Sequence, residues 1–471
     1  MASIVTEPVS VNLIALPGET YNDLKLRTEN WIKHYWGHCP QVILVNHQIA
    51  HIASSFFHSG FDNAMCLTMD AFGDKLSAAL VLADKKKVLT EFNPSLKLDL
   101  SNNEQNNKIF DPLNNFGSLK YNGLINKVNN YKFSKLENFD QFNFEPLILD
   151  NGVVIFEKKG TIIRFNDNKK IVWKNNFYSK TEKKIHPILS FAMTDKNLLV
   201  ADSIAKITNI NLQTGNLIWS KKSEYPFNSE IKIYKSKLFV VDFKNTLRCF
   251  YLKDGKECWN VKTEESFIVS NSKFSILIKD DLVIYNNSLG DITAVDISSG
   301  IIEWQLPTQK SSIINETYSF NFSKLVGDED SIYFSNNKNQ FYSVDLVSGT
   351  TNWMNEVDSI LTPIIIGDLI FTVTEDGYLF TIQKKEGNII RINDIYKNFN
   401  LKKRKKIKPT GFVIGGNNLY LTNSDGNLIV INLSDGNVLK IEKVARDLIS
   451  KPYIYNENLF IVKNGSITQY D

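Results

Sequence analysis

One repeat determines what most of this chain can fold into. Each unit is an apolar strand, a polar turn, a second apolar strand and a turn ending in glycine, with tryptophan four residues later, as in LLVADSIAKITNINLQTGNLIW (198–219) and LVIYNNSLGDITAVDISSGIIEW (282–304). The tryptophan-equivalent positions are residues 173, 219, 259, 304, 353, 391 and 440, which lie 38 to 49 residues apart. Short strands at this period are typical of β-propeller blades.

Two residue types recur at fixed places in the unit. The glycines follow polar turn residues, where a positive φ is needed and glycine adopts it without steric cost. A large ring at the tryptophan position can bury roughly 150–250 Å² against the adjoining blade. A floor for stacking a cofactor is the alternative, but recurrence from unit to unit favours packing between blades. These residues are Gly215, Gly255, Gly300, Gly349, Gly387 and Gly436, with Trp173, Trp219, Trp259, Trp304 and Trp353.

The end of the chain predicts how the ring closes. Seven units are followed by LFIVKNGSITQYD (459–471), which is half a blade. A ring that stays open would leave a strand edge free to pair with other chains. The stretch YKFSKLENFDQF (131–142) can supply the missing strands. We therefore expect an all-β fold of eight blades, with the N- and C-terminal strands sharing one blade.

Residues 88–471 resemble the quinoprotein-like (PQQ-repeat) propellers, and more closely the bacterial propeller component of the outer-membrane β-barrel assembly machinery. The latter resemblance implies a periplasmic lipoprotein scaffold whose partners are that machinery and unfolded β-barrel clients. Quinoprotein dehydrogenases instead hold pyrroloquinoline quinone and calcium on the axis, beside a disulfide of adjacent cysteines. Here Cys249 and Cys258 flank a turn, with no Cys-Cys dipeptide and no calcium-type cluster outside the repeat. We therefore expect protein binding and no quinone cofactor.

The composition changes near residue 84. Five of the six histidines lie before residue 60, whereas asparagine becomes abundant only after residue 84. Residues 85–109 are largely polar and are predicted to be a linker. The sequence thus predicts an N-terminal segment (1–84), a linker (85–109) and a propeller (110–471).

The N-terminal segment carries a second motif. QVILVNHQIAHIASSFFHSG (41–60) predicts a strand running into a helix, on which His47 and His51 share one face. Asp70 ends the strand AMCLTMD and could complete a site for a divalent metal. Gly73 and Asp74 form the turn into the strand KLSAALVLAD (75–84). Actin/hexokinase-type folds present backbone N–H groups to phosphate at such a turn.

Residues 10–84 are similar to the N-terminal region of NodU-type O-carbamoyltransferases. The resemblance implies that His47, His51 and Asp70 bind Fe²⁺ or Zn²⁺, and that Gly73 and Asp74 face phosphate. Histidines on a helix surface are the alternative. The rest of such an enzyme, including the nucleotide half-site, is missing. We therefore expect a small non-catalytic α/β fragment of actin/hexokinase-like type, which binds metal weakly.

Charge and hydropathy limit the remaining functions. The net charge of +3 is too small to indicate nucleic-acid binding, although the loop LKKRKKIKP (401–409) could contact acidic partners or a membrane. The sequence shows no signal peptide, lipobox or transmembrane run, so as written it predicts a cytoplasmic chain. Two alternatives to the scaffold stay open. The chain could be a carbamoyltransferase acting with a partner that supplies the missing half, or an artificial join of two reading frames.

Overall fold

The computed structural model describes residues 63–69, 78–84, 87–89, 126–136, 144–264, 272–308 and 321–471. The chain divides into two units, residues 1–97 and 98–471. In the first unit, the described residues form an antiparallel sheet of β1 (Asn63–Met69), β2 (Ala78–Asp84) and β3 (Lys87–Leu89). β1 and β2 are the two strands predicted on either side of the Asp70–Asp74 turn, and β3 lies in the predicted linker.

The helix, the turn and the histidines predicted around this sheet lie outside the described residues. This applies to His47, His51, Asp70, Gly73 and Asp74. The actin-like fragment and its metal and phosphate sites therefore stay predictions.

In the second unit, the described residues form eight four-stranded antiparallel sheets, each made almost entirely of consecutive strands. This arrangement confirms the predicted eight-bladed propeller. The first four blades are blade 1 with β5 (Leu147–Leu149), β6 (Gly152–Glu157), β7 (Thr161–Asn166) and β8 (Ile171–Asn175); blade 2 with β9 (Leu189–Met193), β10 (Asn197–Asp202), β11 (Lys206–Asn211) and β12 (Leu217–Lys222); blade 3 with β13 (Lys232–Tyr234), β14 (Lys237–Val241), β15 (Thr246–Tyr251) and β16 (Glu257–Lys262); and blade 4 with β17 (Ile276–Lys279), β18 (Leu282–Asn286), β19 (Ile292–Asp296) and β20 (Ile302–Leu306).

In every blade the first strand named lies nearest the axis of the ring and the fourth lies outermost, and the other four blades keep this order. They are blade 5 with β21 (Val326–Gly327), β22 (Ser331–Asn336), β23 (Gln340–Asp345) and β24 (Thr351–Asn355); blade 6 with β25 (Ile364–Ile366), β26 (Leu369–Val373), β27 (Tyr378–Gln383) and β28 (Ile389–Asp394); blade 7 with β29 (Pro409–Gly415), β30 (Asn418–Asn423), β31 (Asn427–Asn432) and β32 (Val438–Lys443); and blade 8 with β33 (Ile449–Tyr455), β34 (Asn458–Lys463), β35 (Ser466–Tyr470) and β4 (Lys127–Lys132). Short helical turns lie at Lys158–Gly160, Glu182–Ile185 and, as α1, Leu401–Arg404.

The ring closes in blade 8, where β4 from the N-terminal side pairs with β35. The expected sharing of one blade is present, with two differences. The C-terminus supplies three strands instead of half a blade, since β33 also belongs to this sheet. Pro452 in β33 lies at a register shift, where a missing N–H is tolerated. The N-terminal side then supplies one strand, Lys127–Lys132, which begins four residues before the predicted stretch.

The hydrophobic core lies between neighbouring blades. The middle strands are buried on both faces, and all six residues of β6 (GVVIFE) are buried. In one cluster, Phe239 and Val241 of blade 3 pack with Val283 and Tyr285 of blade 4. A strand covered on both faces can be apolar throughout, which explains why these strands show little alternation in the sequence.

Candidate functional site

The repeated tryptophans join neighbouring blades. Each lies on the fourth strand of its blade, and its indole Nε1–H donates to a backbone carbonyl of the next blade. The distances are 2.9–3.2 Å, from Trp173 to Leu212, Trp219 to Leu252, Trp259 to Ile297, Trp304 to Leu346 and Trp353 to Lys384. The tryptophans are therefore connectors between blades.

Each tryptophan ring covers a repeat glycine of the following blade. Gly349 has φ +71°, and a Cβ atom there would lie 2.5 Å from Cδ2 of Trp304. The same contact joins Gly215, Gly255, Gly300 and Gly387 to the tryptophan of the preceding blade. The glycine is therefore required both by the backbone conformation and by the ring packed against it.

Blade 6 makes the same connection with arginine. Arg391 stands at the tryptophan-equivalent position, and its guanidinium donates to the carbonyls of Leu433 (2.8 Å) and Ser434 in blade 7. Gly436 there packs against Asn393. Asparagine two residues after the repeat position also donates to the next blade's turn at Asn175 (2.7 Å to the Gly215 carbonyl) and at Asn355. Aligning the units on their glycines would have revealed these asparagines.

The cysteines can be placed directly. Cys249 is buried in β15 and Cys258 is half-buried in β16, and both are free thiols. Burial raises the pKa of each thiol, and each also interacts with the other. Within the described ranges, no group of three or more His, Cys, Asp and Glu side chains could hold a metal, and no helix is long and apolar enough to span a membrane.

The basic loop is partly neutralised by neighbouring carboxylates. Arg404 pairs with Asp394 at 2.8 Å and Lys403 pairs with Asp425 at 2.9 Å. Lys402, Lys405 and Lys406 are exposed. The loop thus offers only part of the positive charge that its sequence suggests.

The fourth strands also carry exposed apolar side chains. In five blades a pair of valine, leucine or isoleucine side chains lies on this strand or immediately before it, next to or within a few residues of the tryptophan-equivalent position, and we call these pairs the outer rim. They are Ile171 and Val172, Leu217 and Ile218, Ile301 and Ile302, Ile389 and Ile392, and Leu439 and Ile441, each between 36% and 63% exposed. Each of these strands is the last in its sheet, so one backbone edge has no strand beside it in the described sheets.

A group of partly buried charges lies on the opposite, inner side of the blades. Lys324, just before the first strand of blade 5, donates to Glu145 of blade 1 at 2.6 Å and also to Glu230 of blade 3. Lys451 of blade 8 donates to the same Glu145 oxygen at 2.7 Å. Blades 1 and 5 stand opposite each other in an eight-membered ring, so these side chains meet on its axis.

The axial charges shift one another's pKa values. Burial opposes ionisation of Glu145, but Lys324, Lys451 and Lys273 together hold its pKa well below the usual range. Burial likewise opposes the charge on Lys324, yet Glu145 and Glu230 keep its pKa well above that of an ordinary lysine. For Lys451, burial and the nearby Lys324 outweigh Glu145 and lower the pKa to about 8.

The lowered pKa of Lys451 predicts a rise in stability with pH. The unfolded chain binds more protons at this group between about pH 8 and the ordinary lysine value near 10.4, so the unfolding free energy should increase across that window. Relative to Lys451→Met, the natural chain should gain at least about 1 kcal/mol between pH 7.5 and 10 in urea titrations. Parallel pH profiles of the two proteins would contradict this prediction.

Comparison with known proteins agrees with the architecture. Among solved structures, BamB from Moraxella catarrhalis shares 15% identity, covering 74% of this chain and 98% of that one, with a TM-score of 0.58. Quinohemoprotein alcohol dehydrogenase from Comamonas testosteroni shares 9% identity, covering 76% and 77% of the two chains, with a TM-score of 0.55. At these identities the likeness is one of fold alone.

Sequence comparison is more specific. Uncharacterized protein RP232 of Rickettsia prowazekii (strain Madrid E) is 20% identical over 278 residues, which span 57% of this chain and 66% of that relative, just under two thirds of its length. The family described as outer membrane protein assembly factor BamB matches residues 158–393, from blade 1 to blade 6. Because this range is half of the chain and the structure forms the eight blades and inter-blade contacts of the repeat, the chain belongs to the BamB family of outer membrane protein assembly factors.

Proposed function

We propose that the propeller is a protein-binding scaffold that acts in the assembly of outer-membrane β-barrel proteins, at the periplasmic face of that membrane. The observation that carries this proposal is the outer rim, where open strand edges coincide with exposed apolar side chains. Membership of the family supports the assembly role. No cofactor is needed for such a function.

The rim has the chemistry to bind an extended chain. The outward edge of a fourth strand presents backbone N–H and C=O groups that a partner strand can pair with. Leu217 and Ile218 on β12 are 50% and 48% exposed, so a partner covering them would bury the remaining half of each side chain. That burial would contribute roughly 1 kcal/mol per residue, since complete burial of Leu or Ile is worth about 1.5–3 kcal/mol.

Strands of an outer-membrane barrel suit such an edge. They are about ten residues long and alternate apolar with polar side chains. Before insertion into the membrane they are extended segments with unpaired backbone groups. Pairing with a propeller edge would satisfy those groups and cover the apolar face.

Serine substitutions on the rim test the proposal. One apolar residue would be changed in each of the five blades of the rim, at Ile171, Leu217, Ile302, Ile389 and Leu439. All five side chains are exposed enough for the substitutions to leave the core intact. We expect this rim variant to bind a ten-residue peptide with alternate apolar and polar side chains at least about tenfold more weakly, measured by fluorescence anisotropy.

The control variant carries the same kind of change away from the rim. Leu401→Ser and Val347→Ser remove side chains that are 75% and 80% exposed but do not lie on a fourth strand. The control variant should bind the peptide with unchanged affinity. A proline-interrupted peptide should bind neither the rim variant nor the control variant. Equal affinity of the rim and control variants would overturn the proposal.

A further inference from the structure

Blade 3 carries a pair of cysteines on its third and fourth strands. Cys249 lies in β15 and Cys258 lies in β16, and both pack in the apolar cluster between blades 3 and 4. The two thiols also interact with each other as hydrogen-bonding side chains. Only the turn between β15 and β16 separates them along the chain, so a bond between them would close a single hairpin.

A β-bulge places Cys258 opposite Cys249. The strand pairing passes from Cys249 opposite Trp259 to Phe250 opposite Glu257, and therefore skips Cys258. At such a bulge two residues of one strand oppose a single residue of the other, here Cys258 and Trp259 opposite Cys249. Opposed residues in antiparallel strands have Cα atoms about 4.5–5.5 Å apart, which lies within the roughly 4.4–6.8 Å range of disulfides.

Blade 5 shows that side chains at these two positions can touch. Ser343 there opposes Trp353, and Asn352 is the residue that the pairing skips, so the two correspond to Cys249 and Cys258. Nδ2 of Asn352 lies 3.3 Å from Oγ of Ser343. The repeat therefore brings the side chains of this pair of positions within bonding reach of each other.

We propose that Cys249 and Cys258 are a redox site that oxidises to a disulfide joining β15 to β16. Cys258, the more accessible of the two, loses its proton, and its thiolate attacks a sulfur of a disulfide oxidant and expels one thiolate from it. Cys249 then loses its proton, attacks the Cys258 sulfur and expels the second thiolate. The pair gives up two protons and two electrons, and the oxidant is reduced to two thiols.

The source of the oxidant rests on the proposed function, because disulfides form and persist in the bacterial periplasm but are rare in the cytosol. Burial raises the pKa of both thiols, so the fraction of reactive thiolate and the rate of exchange increase with pH. The bond would fasten β16, which is the last strand in its sheet, to the strand beside it.

Refolding of the reduced full chain from urea tests the site, in a buffer of oxidised and reduced glutathione at about pH 8, because unfolding exposes both thiols to the oxidant. After alkylation of the remaining thiols, trypsin leaves Cys249 in CFYLK (249–253) and Cys258 in ECWNVK (257–262). We expect mass spectrometry to find these peptides joined, two hydrogens lighter than their sum, in at least about tenfold excess over their alkylated forms. If the joined peptide does not form, the proposal is overturned. The assay supplies its own oxidant, so its result is independent of peptide binding at the outer rim.

A matched variant separates facing cysteines from cysteines that are merely close in sequence. Cys258→Ser combined with Asn260→Cys keeps two cysteines in this hairpin, but position 260 opposes Arg248, whose side chain points to the other face from Cys249. We expect at least about tenfold less joined peptide from this variant, because its sulfur atoms cannot reach disulfide geometry. Equal joining in this variant and in the natural chain, with both folded by circular dichroism, would show that the bulge does not determine the pairing.

Blade 5 provides an independent test of the same geometry. Ser343→Cys and Asn352→Cys would be introduced into a chain that carries Cys249→Ser and Cys258→Ser. We expect the new pair to form a disulfide under the same conditions, because the two positions already touch. A blade 5 pair that stays reduced would contradict the contact geometry from which the blade 3 disulfide is inferred.

Discussion

Replacing Trp304 by alanine should lower the unfolding free energy of the propeller by on the order of 3–5 kcal/mol. The ring is 9% exposed and packs on Gly349, which has no side chain to fill the space left behind. The substitution also removes the 3.0 Å hydrogen bond to the Leu346 carbonyl, which holds blade 4 against blade 5. The loss therefore combines a cavity between two blades with an unpaired carbonyl.

Urea unfolding followed by circular dichroism measures this effect. Trp304→Phe keeps an aromatic ring but not the donor. Beyond the loss expected from its smaller buried area, it should therefore lower the unfolding free energy by only about 1 kcal/mol. Ile302→Ala on the same strand is the matched control, because that side chain is 40% exposed and should cost under about 1 kcal/mol. If Trp304→Ala were no more destabilising than Ile302→Ala, the packing account of the repeat would be wrong.

The second large effect is expected at the axis. Glu145→Ala would leave Lys324 and Lys451 without the carboxylate that both of them contact at 2.6–2.7 Å. Lys324 keeps its contact with Glu230, whereas Lys451 loses the carboxylate that it contacts. Removing one partner of a largely buried ion pair costs up to about 3–5 kcal/mol, because the remaining charge is less well compensated. The pKa of Lys451, which Glu145 raises, should also fall further.

A double substitution separates charge from packing. If uncompensated charge is the cause, Glu145→Ala combined with Lys451→Met should be more stable than Glu145→Ala alone, as measured by the urea midpoint. Glu329→Ala is the control, since Glu329 is an exposed carboxylate in blade 5 and its loss should change stability by less than about 0.5 kcal/mol. Additive effects of the Glu145 and Lys451 substitutions would show that their interaction contributes nothing.

Local patterns were enough to predict the blades. A glycine at a turn of positive φ and a large ring four residues later depend on backbone conformation and side-chain size, which neighbouring residues determine. Repetition of these patterns predicted seven units, and the partial unit at the end predicted closure with the N-terminal side. Arg391 was missed as a blade connector because a search for tryptophan does not recognise a guanidinium that donates to the same carbonyl. β33 was missed because Pro452 is unfavourable in a regular strand and fits only at the register shift.

The meeting of Glu145, Lys324 and Lys451 on the axis could be decided only by the tertiary structure. Glu145 lies 179 residues before Lys324 and 306 before Lys451, and nothing in their local sequences distinguishes them from surface charges. They meet because eight blades close into a ring whose first strands face one axis, and that geometry depends on every blade together. The outer rim has the same origin, since leucine and isoleucine near a repeat position are buried or exposed according to which strand is last in its sheet. Strand formation and turn chemistry are local properties of the chain, whereas charge pairing across the ring follows from its closure.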